Sequence, residues 1–376
     1  MRRLLGPLAL AVSVVAASCT TPPAGPSPGA PTLAVTTVVS GLDHPWEVAF
    51  TPDGTMLVTE RIGRIGAVIG GTRRILAAPS DVVASSEGGM LGLAVDPGFA
   101  TNRRIYTCFQ SVAAGRDVRV ARWTVSADYT SLSGRADIVV GIPLSASNPG
   151  RHSGCRLAFG PDGALWVTTG DAVRTDTSQN PQSLGGKILR VTTDGAPAPG
   201  NPGVVNPASG LDPRIFTLGH RNVQGLAFRP SDGRAFSVEQ GTNCDDEVNL
   251  PVASGNYGWN PGALGFYNEV APMTDTATVP GARAAVWSSG CPTIATSGAG
   301  FVVGPQWGSW DGGLVTAALA GTQLRVLQFD AAGALVSQSV ALTDRGRLRT
   351  ARQGPDGALC VLTDATAGSI LRVVPT

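Results

Sequence analysis

The chain has 376 residues, 43% of them hydrophobic and 15% charged, with a formal net charge of +1 at pH 7. That balance supports a substantial core and excludes a basic nucleic-acid surface or a purely electrostatic hold on an acidic membrane. One lysine, Lys187, stands against 27 arginines, so anion recognition rests on guanidinium groups, and 49 glycines with 28 prolines suit short strands and many turns.

Residues 1–19 read as a targeting segment. MRR is basic, and LLGPLALAVSVVAAS is apolar but too short to span a bilayer comfortably. The small residues before Cys19 resemble the lipobox of bacterial lipoproteins, in which the cysteine is lipidated and becomes the first residue. Ala16 stands where that motif usually has leucine, and ordinary secretory cleavage is the alternative. Residues 20–34 then read as a Pro-rich disordered tether, and residues 35–376 as the folded domain. The expected location is outside the cytoplasm, in the cell envelope, with membrane contact only through a lipid anchor.

Within the domain one phrase recurs four times, PWEVAFTPDGTMLVTE (45–60), CRLAFGPDGALWVTTGD (155–171), QGLAFRPSDGRAFSVEQG (224–241) and RTARQGPDGALCVLTD (349–364), and LGLAVDPGFATNRRIYTCF (91–109) is a variant with a longer turn. GLVTAALAGTQLRVLQFD (313–330) adds a further strand pair. In each hairpin Pro presets the turn, Asp caps it and Gly supplies positive φ. Isolated hairpins are marginal, so repeated ones must stack their apolar faces. With no long amphipathic helix, the pattern predicts an all-β, six-bladed propeller with its site at the central channel. Seven blades is the rival count, if a unit hides in 196–213 or 260–285.

Four stretches carry chemistry. In GRHSGCRLAF, His152 reads as a general base at the channel mouth, oriented by Asp171, or as a surface imidazole. In GHRNVQGL, Arg221 offers a planar fork to a carboxylate or oxyanion, and Asn222 and Gln224 donate and accept; a solvated turn is the alternative. EQGTNCDDEVNL holds Glu239, Asp245, Asp246 and Glu247 around Gly241, which suits Ca²⁺ without being an EF-hand, or suits pairing with arginines. In RGRLR, Arg347 and Arg349 share a strand face and need an anion or acid between them, or are solvated edge charges.

Taken together and in this order, these motifs resemble the bacterial PQQ-dependent soluble glucose and aldose sugar dehydrogenases, in a lipoprotein form. GLDHPWEVAFTPDG, EGGMLGLAVDP, HSGCRLAFGPDG…TTGD, GGKILRV, GHRNVQGLAF, EQGTNCDDEVN, NYGWN, CPTIATSG and RGRLR…GPDGALCVLTD carry the resemblance from about Leu42 onward. It implies an oxidoreductase that passes hydride from C1 of an aldose to pyrroloquinoline quinone (PQQ), gives a lactone, and hands electrons to a respiratory or dye acceptor. His152 would be the base, with Asp171 its partner, and Arg221 would stabilise charge on the quinone, with Asn222 beside it. Arg347 and Arg349 would bind the cofactor's carboxylates, Glu87 would lie near the sugar, and the carbonyls of Gly241 and Thr242 would hold Ca²⁺.

The chain departs from the family at two places. Ala320 stands where glucose-type members have a lysine that pairs with the quinone, and Cys291 replaces an aromatic before PTIA. These departures support the alternative of a cofactor-free propeller lipoprotein acting as a binding module. Cys291 also suggests a bridge to Cys244, and Cys108 one to Cys155 beside His152, leaving Cys360 buried and free.

Overall fold

A computed structural model describes residues 29–113 and 115–376. The expected lipidation site, Cys19, and most of the tether lie outside these residues. The chain forms six four-stranded antiparallel sheets arranged as propeller blades. Blades 1 to 5 run in sequence order over Pro45–Ala77, Met90–Ile142, Gly154–Leu218, Val223–Ser288 and Thr296–Ala341. Blade 6 joins the last three strands, Leu348–Gln353, Leu359–Thr363 and Gly368–Pro375, to the first, Leu33–Leu42. That N-terminal strand pairs from Leu33 opposite Pro375 to Leu42 opposite Gly368, so the ring closes by hydrogen bonding between the two ends of the domain. The strand begins at Leu33, which corrects the expected domain boundary: the last two residues assigned to the tether belong to the sheet.

The recurring phrase builds the inner half of four blades. In blade 3, Gly160 N donates to Ala164 O at 2.9 Å and Asp162 Oδ1 accepts from Ala164 N at 3.0 Å. Gly163 has φ 76°, the left-handed conformation the turn requires. The same turn closes blade 6, where Gly354 N donates to Ala358 O at 2.8 Å and Asp356 Oδ1 accepts from Ala358 N at 3.1 Å. The stretches suspected of hiding a seventh unit are long connections inside blades 3 and 4.

The inner strands pack side by side around the ring, each on the next, and the sixth on the first. Apolar clusters fill the spaces between blades; one joins Trp46 to Tyr106, Leu157 and Leu189. Below the rim the channel is closed by a fully buried pair, Arg156 and Glu47. Arg156 also donates to Gln224 O at 2.8 Å and Thr350 Oγ1 at 3.1 Å, and lies 3.9 Å over the Trp46 ring. At the strands' far ends is an apolar pit of about 320 Å³, lined by Phe50, Phe159 and Phe228 among others.

Candidate active site

All six inner strands slip register near their first residues, at one mouth of the channel. Bulges at a rim re-aim side chains, and the chemistry gathers here. In blade 3, Gly150, His152, Gly154 and Cys155 all have positive φ, of 92, 53, 60 and 78°. Strain of this kind persists only where the surroundings over-determine it. Here Cys155 is bonded to Cys108 of blade 2, one of the two expected bridges. The turn folds His152 inward to 3% exposure, which overturns the surface-imidazole alternative.

His152 Nδ1 lies 2.9 Å from Asp171 Oδ1. The other oxygen, Oδ2, accepts from Trp259 Nε1 at 2.6 Å and Tyr267 OH at 2.7 Å. Tyr267 OH is also 3.3 Å from His152 Nδ1. A proton on Nδ1 directed at the carboxylate leaves the Nε2 lone pair free, and Nε2 has no hydrogen-bond partner among the described residues. Burial on its own raises the Asp171 carboxyl, but the His152 charge and hydrogen bond, Arg221 and Tyr267 outweigh it and hold the group below its ordinary value.

Blade 4 supplies the next group. His220 Nδ1 is 2.8 Å from Glu239 Oε2, and Glu239 Oε1 accepts from Arg221 N. The Arg221 guanidinium lies 5.5 Å from the Trp259 ring centre and 3.5 Å from Glu269, which also pairs with Arg151 at 2.8 Å. Asn222 Oδ1 accepts from Gly154 N at 3.0 Å, tying blade 4 to the His152 turn, and its Nδ2 donates to Glu87 at 3.0 Å. Gln224 Nε2 reaches the same Glu87 oxygen at 3.2 Å. Glu87, Asn222, Gln224 and Arg221 therefore share one rim with His152.

The arginine pair splits. Both guanidiniums reach Asp364 Oδ2 at 3.2 Å, which supplies the acid that two facing cations require. Arg349 is buried and also bonds Gln224 Oε1 at 2.9 Å, while the Arg347 side chain is 51% exposed. Arg61 adds a third positive charge near Asp364.

The acidic loop differs from one expectation. Its carboxylates do not converge, and no group of three or more His, Cys, Asp or Glu side chains suited to a metal occurs among the described residues. Glu239 serves His220 and Arg221. Asp246 accepts from Gly241 N at 2.9 Å, Thr293 Oγ1 at 2.8 Å and Ile294 N at 2.7 Å. Asp245 takes Ser288, and Glu247 takes Asn249 and Thr274. Burial, then the Glu239 charge opposite, pushes Glu247 up to about 8. Each acid is committed to its own fold contacts, and a carboxyl protonated at neutral pH is a poor ligand for a hard cation. Among the described residues, no group donates a hydrogen bond to the carbonyl oxygens of Gly241 and Thr242, which remain open as ligands. The second expected bridge, Cys244–Cys291, joins this loop to the residues that hold Asp246, and Cys360 is buried and free.

Sequence reading missed Tyr267, Trp259 and Glu269, all on the strandless stretch 251–286 of blade 4. NYGWN marked Trp259 as part of the resemblance without a role; nothing in the repeat pattern marked Tyr267. Arg156 was visible as the final residue of HSGCR, but its partner Glu47 lies 109 residues earlier.

The glucose/sorbosone dehydrogenase family model matches residues 42–372. An aldose sugar dehydrogenase of Escherichia coli is 32% identical over 358 residues, covering 92% of this chain and 93% of the relative. The crystal structure of the soluble aldose sugar dehydrogenase from that organism, in the apo form, superposes with a TM-score of 0.82 at 31% identity, over 92% of this chain and all of the other. The PQQ-bound aldose sugar dehydrogenase of Streptomyces coelicolor superposes with a TM-score of 0.75, also at 31% identity, over 92% of this chain and all of that one.

Proposed function

This chain belongs to the glucose/sorbosone dehydrogenase family and is an oxidoreductase of its aldose and glucose dehydrogenase type, and from that premise we propose that it binds PQQ and oxidises an aldose at C1 to the lactone. The observation that carries the reading is His152: a buried imidazole, held through Nδ1 by Asp171, with Nε2 free at a rim shared with Arg221.

The residues present fit an anionic cofactor. Among the described residues, Arg221 Nε and Arg349 Nε are buried without a partner, and so is Asp364 Oδ1. Unpaired buried donors on guanidiniums are sites for carboxylate or quinone oxygens. PQQ, when bound, supplies the two-electron acceptor for the C1–H bond. Arg221 and Arg349 would hold it, with Arg347 at the rim and Asn222 alongside. His152 Nε2 takes the C1 hydroxyl proton, and Asp171 stabilises the imidazolium and fixes the ring. Glu87, bonded to Asn222 and Gln224, keeps an acceptor for sugar hydroxyls. The Gly241 and Thr242 carbonyls suit Ca²⁺, and no proton movement here depends on it. The sequence supports export and anchoring through Cys19, so Cys19→Ser should move the protein from the membrane fraction to the soluble fraction. Electrons would leave to a respiratory or dye acceptor.

A cofactor-free binding module is the second reading. Ala320, exposed in a turn, and Cys291, held in its disulfide, favour it. Calorimetric titration of Ca²⁺-loaded protein with PQQ, followed by dye reduction over several aldoses, decides between the two. Tight binding and sugar-dependent reduction that His152→Ala abolishes support the dehydrogenase. Absence of PQQ binding overturns it in favour of the module.

A further inference from the structure

The chain's only lysine is fully buried. Lys187 begins the third strand of blade 3, and its Nζ donates to Thr177 O at 2.7 Å, Ser178 O at 2.9 Å and Gly185 O at 2.7 Å. An ammonium has three donors, and all three are spent on main-chain carbonyls. No carboxylate lies within ion-pair distance among the described residues. A buried charge without a counter-ion is costly to a fold. Burial draws this one down to about 7, with the Asp171 charge opposing.

What the ammonium gathers explains its presence. The three carbonyls belong to the strandless loop between Asp171 and Gly186. Thr177 Oγ1 donates to Asp171 O at 2.8 Å, and Asp171 N donates to Arg221 O at 2.8 Å. Ser178 Oγ donates to His220 O at 2.8 Å, while Ser178 O accepts from Gly219 N at 3.0 Å. The loop is thus bonded on one side to the partner of His152 and on the other to the residue preceding Arg221. Three carbonyls aimed at one point repel each other unless a cation sits there.

We propose that Lys187 is a positioning residue: an internal ammonium that does the work of a bound monovalent cation, drawing the 171–186 loop together so that Asp171 and Arg221 are both held in register with His152. It touches no reacting atom. The kinetic arm of the test rests on the dehydrogenase reading; the spectroscopic arm does not.

Lys187→Ala leaves room for a propylammonium ion. With only three histidines, the imidazole nitrogens can be followed individually by ¹⁵N NMR. The variant should lose the Nδ1-protonated signature of His152 while His44 keeps its own, and propylammonium, but not propan-1-ol, should restore it. Turnover per folded molecule should fall about 10- to 100-fold, as for a small misplacement of a catalytic group, and recover with the same cation. A lower melting temperature with unchanged His152 signals and unchanged turnover would make the lysine merely structural and overturn the proposal. Should Lys187→Ala not fold, Thr177→Val keeps the lysine and its three carbonyls and removes the hydroxyl that bonds Asp171 O and, more weakly, Arg174 O. The His152 signal should then shift in the same direction, and an unmoved signal overturns the proposal. Wild-type protein without sugar turnover would sink the dehydrogenase reading and leave the NMR arm to decide this one.

Discussion

Blades 3 and 4 carry the same device with opposite fates. In each, a histidine just before the inner strand meets a carboxylate 19 residues later, at the end of the second strand, through Nδ1 at 2.9 and 2.8 Å. The difference lies at the other nitrogen. His220 Nε2 meets Thr217 Oγ1 at 2.9 Å, and the ring stacks on Tyr257 at 4.8 Å, so both ring nitrogens are spent. His152 Nε2 is free. The third histidine, His44, also precedes an inner strand, but its Nδ1 turns to the adjacent Asp43 at 2.7 Å. The fold therefore offers one position three times, and what the distal nitrogen meets separates an imidazole open to the channel mouth from one bonded at both nitrogens. The blade 4 dyad supports: Glu239 holds both His220 and the main chain of Arg221, which faces the site.

The contrast breaks most sharply on truncation. His152→Ala should remove a general base and lower kcat by about 10²- to 10⁴-fold with little change in melting temperature. His220→Ala should do the reverse, leaving Glu239 Oε2 and Thr217 Oγ1 without their partner at a cost of roughly 1–3 kcal/mol while the folded fraction keeps most of its turnover. Equal kinetic losses in the two variants would show that the dyads are not divided in this way.

The two carboxylates also predict opposite pH behaviour. Glu247 lies directly across the strands from Glu239 and is pushed up from 4.5 to about 8 by burial first and by that charge second. A raised carboxyl gives stability that is fully present below 4.5 and is lost as pH rises through about 8. Asp171 is lowered, so its contribution is present above its ordinary 3.8 and is lost as pH falls through the native value. Thermal melts across pH should show Glu247→Gln flattening the alkaline decline and Asp171→Asn flattening the acid one. If Glu247→Gln leaves the wild-type slope between 4.5 and about 8, the buried acid is not its source.

The device was half legible in the sequence. Period-two runs and Pro-Asp-Gly turns are local signals, and they announce hairpins, hence blades and their number. His152 and Asp171 sit at fixed places in that repeat, so their meeting follows once the blade does. The acids of 239–247 looked like a metal cluster because they are close in sequence. Strand register then sent Glu239 and Glu247 to His220 and Asn249, and Asp246 to the backbone around Thr293. Tyr267 and Glu269 lie on an insertion with no periodicity, whereas Asp364 ends the same hairpin phrase that Arg349 opens, so that pair is as local as His152 and Asp171. Contacts set by ring closure or by an irregular loop leave no mark in a single sequence.

The finest test concerns the tyrosine beside each dyad. Tyr267 OH donates to Asp171 Oδ2, while Tyr257 OH donates to Leu250 O and offers His220 only its ring face. Tyr267→Phe removes one of three hydrogen bonds that the Asp171 side chain takes from other side chains. The Asp171 carboxyl then loses one of the groups that hold it below its ordinary value. The acid decline in melting temperature should then begin at higher pH, and kcat/KM should fall by about 2- to 10-fold for a net loss of ~0.5–1.5 kcal/mol. Tyr257→Phe loses a hydrogen bond of similar worth, so its effect belongs in the melting temperature and leaves kcat/KM in place. A comparable fall of kcat/KM in Tyr257→Phe would couple the buried dyad to the His152 dyad through Arg221, and the supporting role assigned to blade 4 would then extend to the orientation of His152.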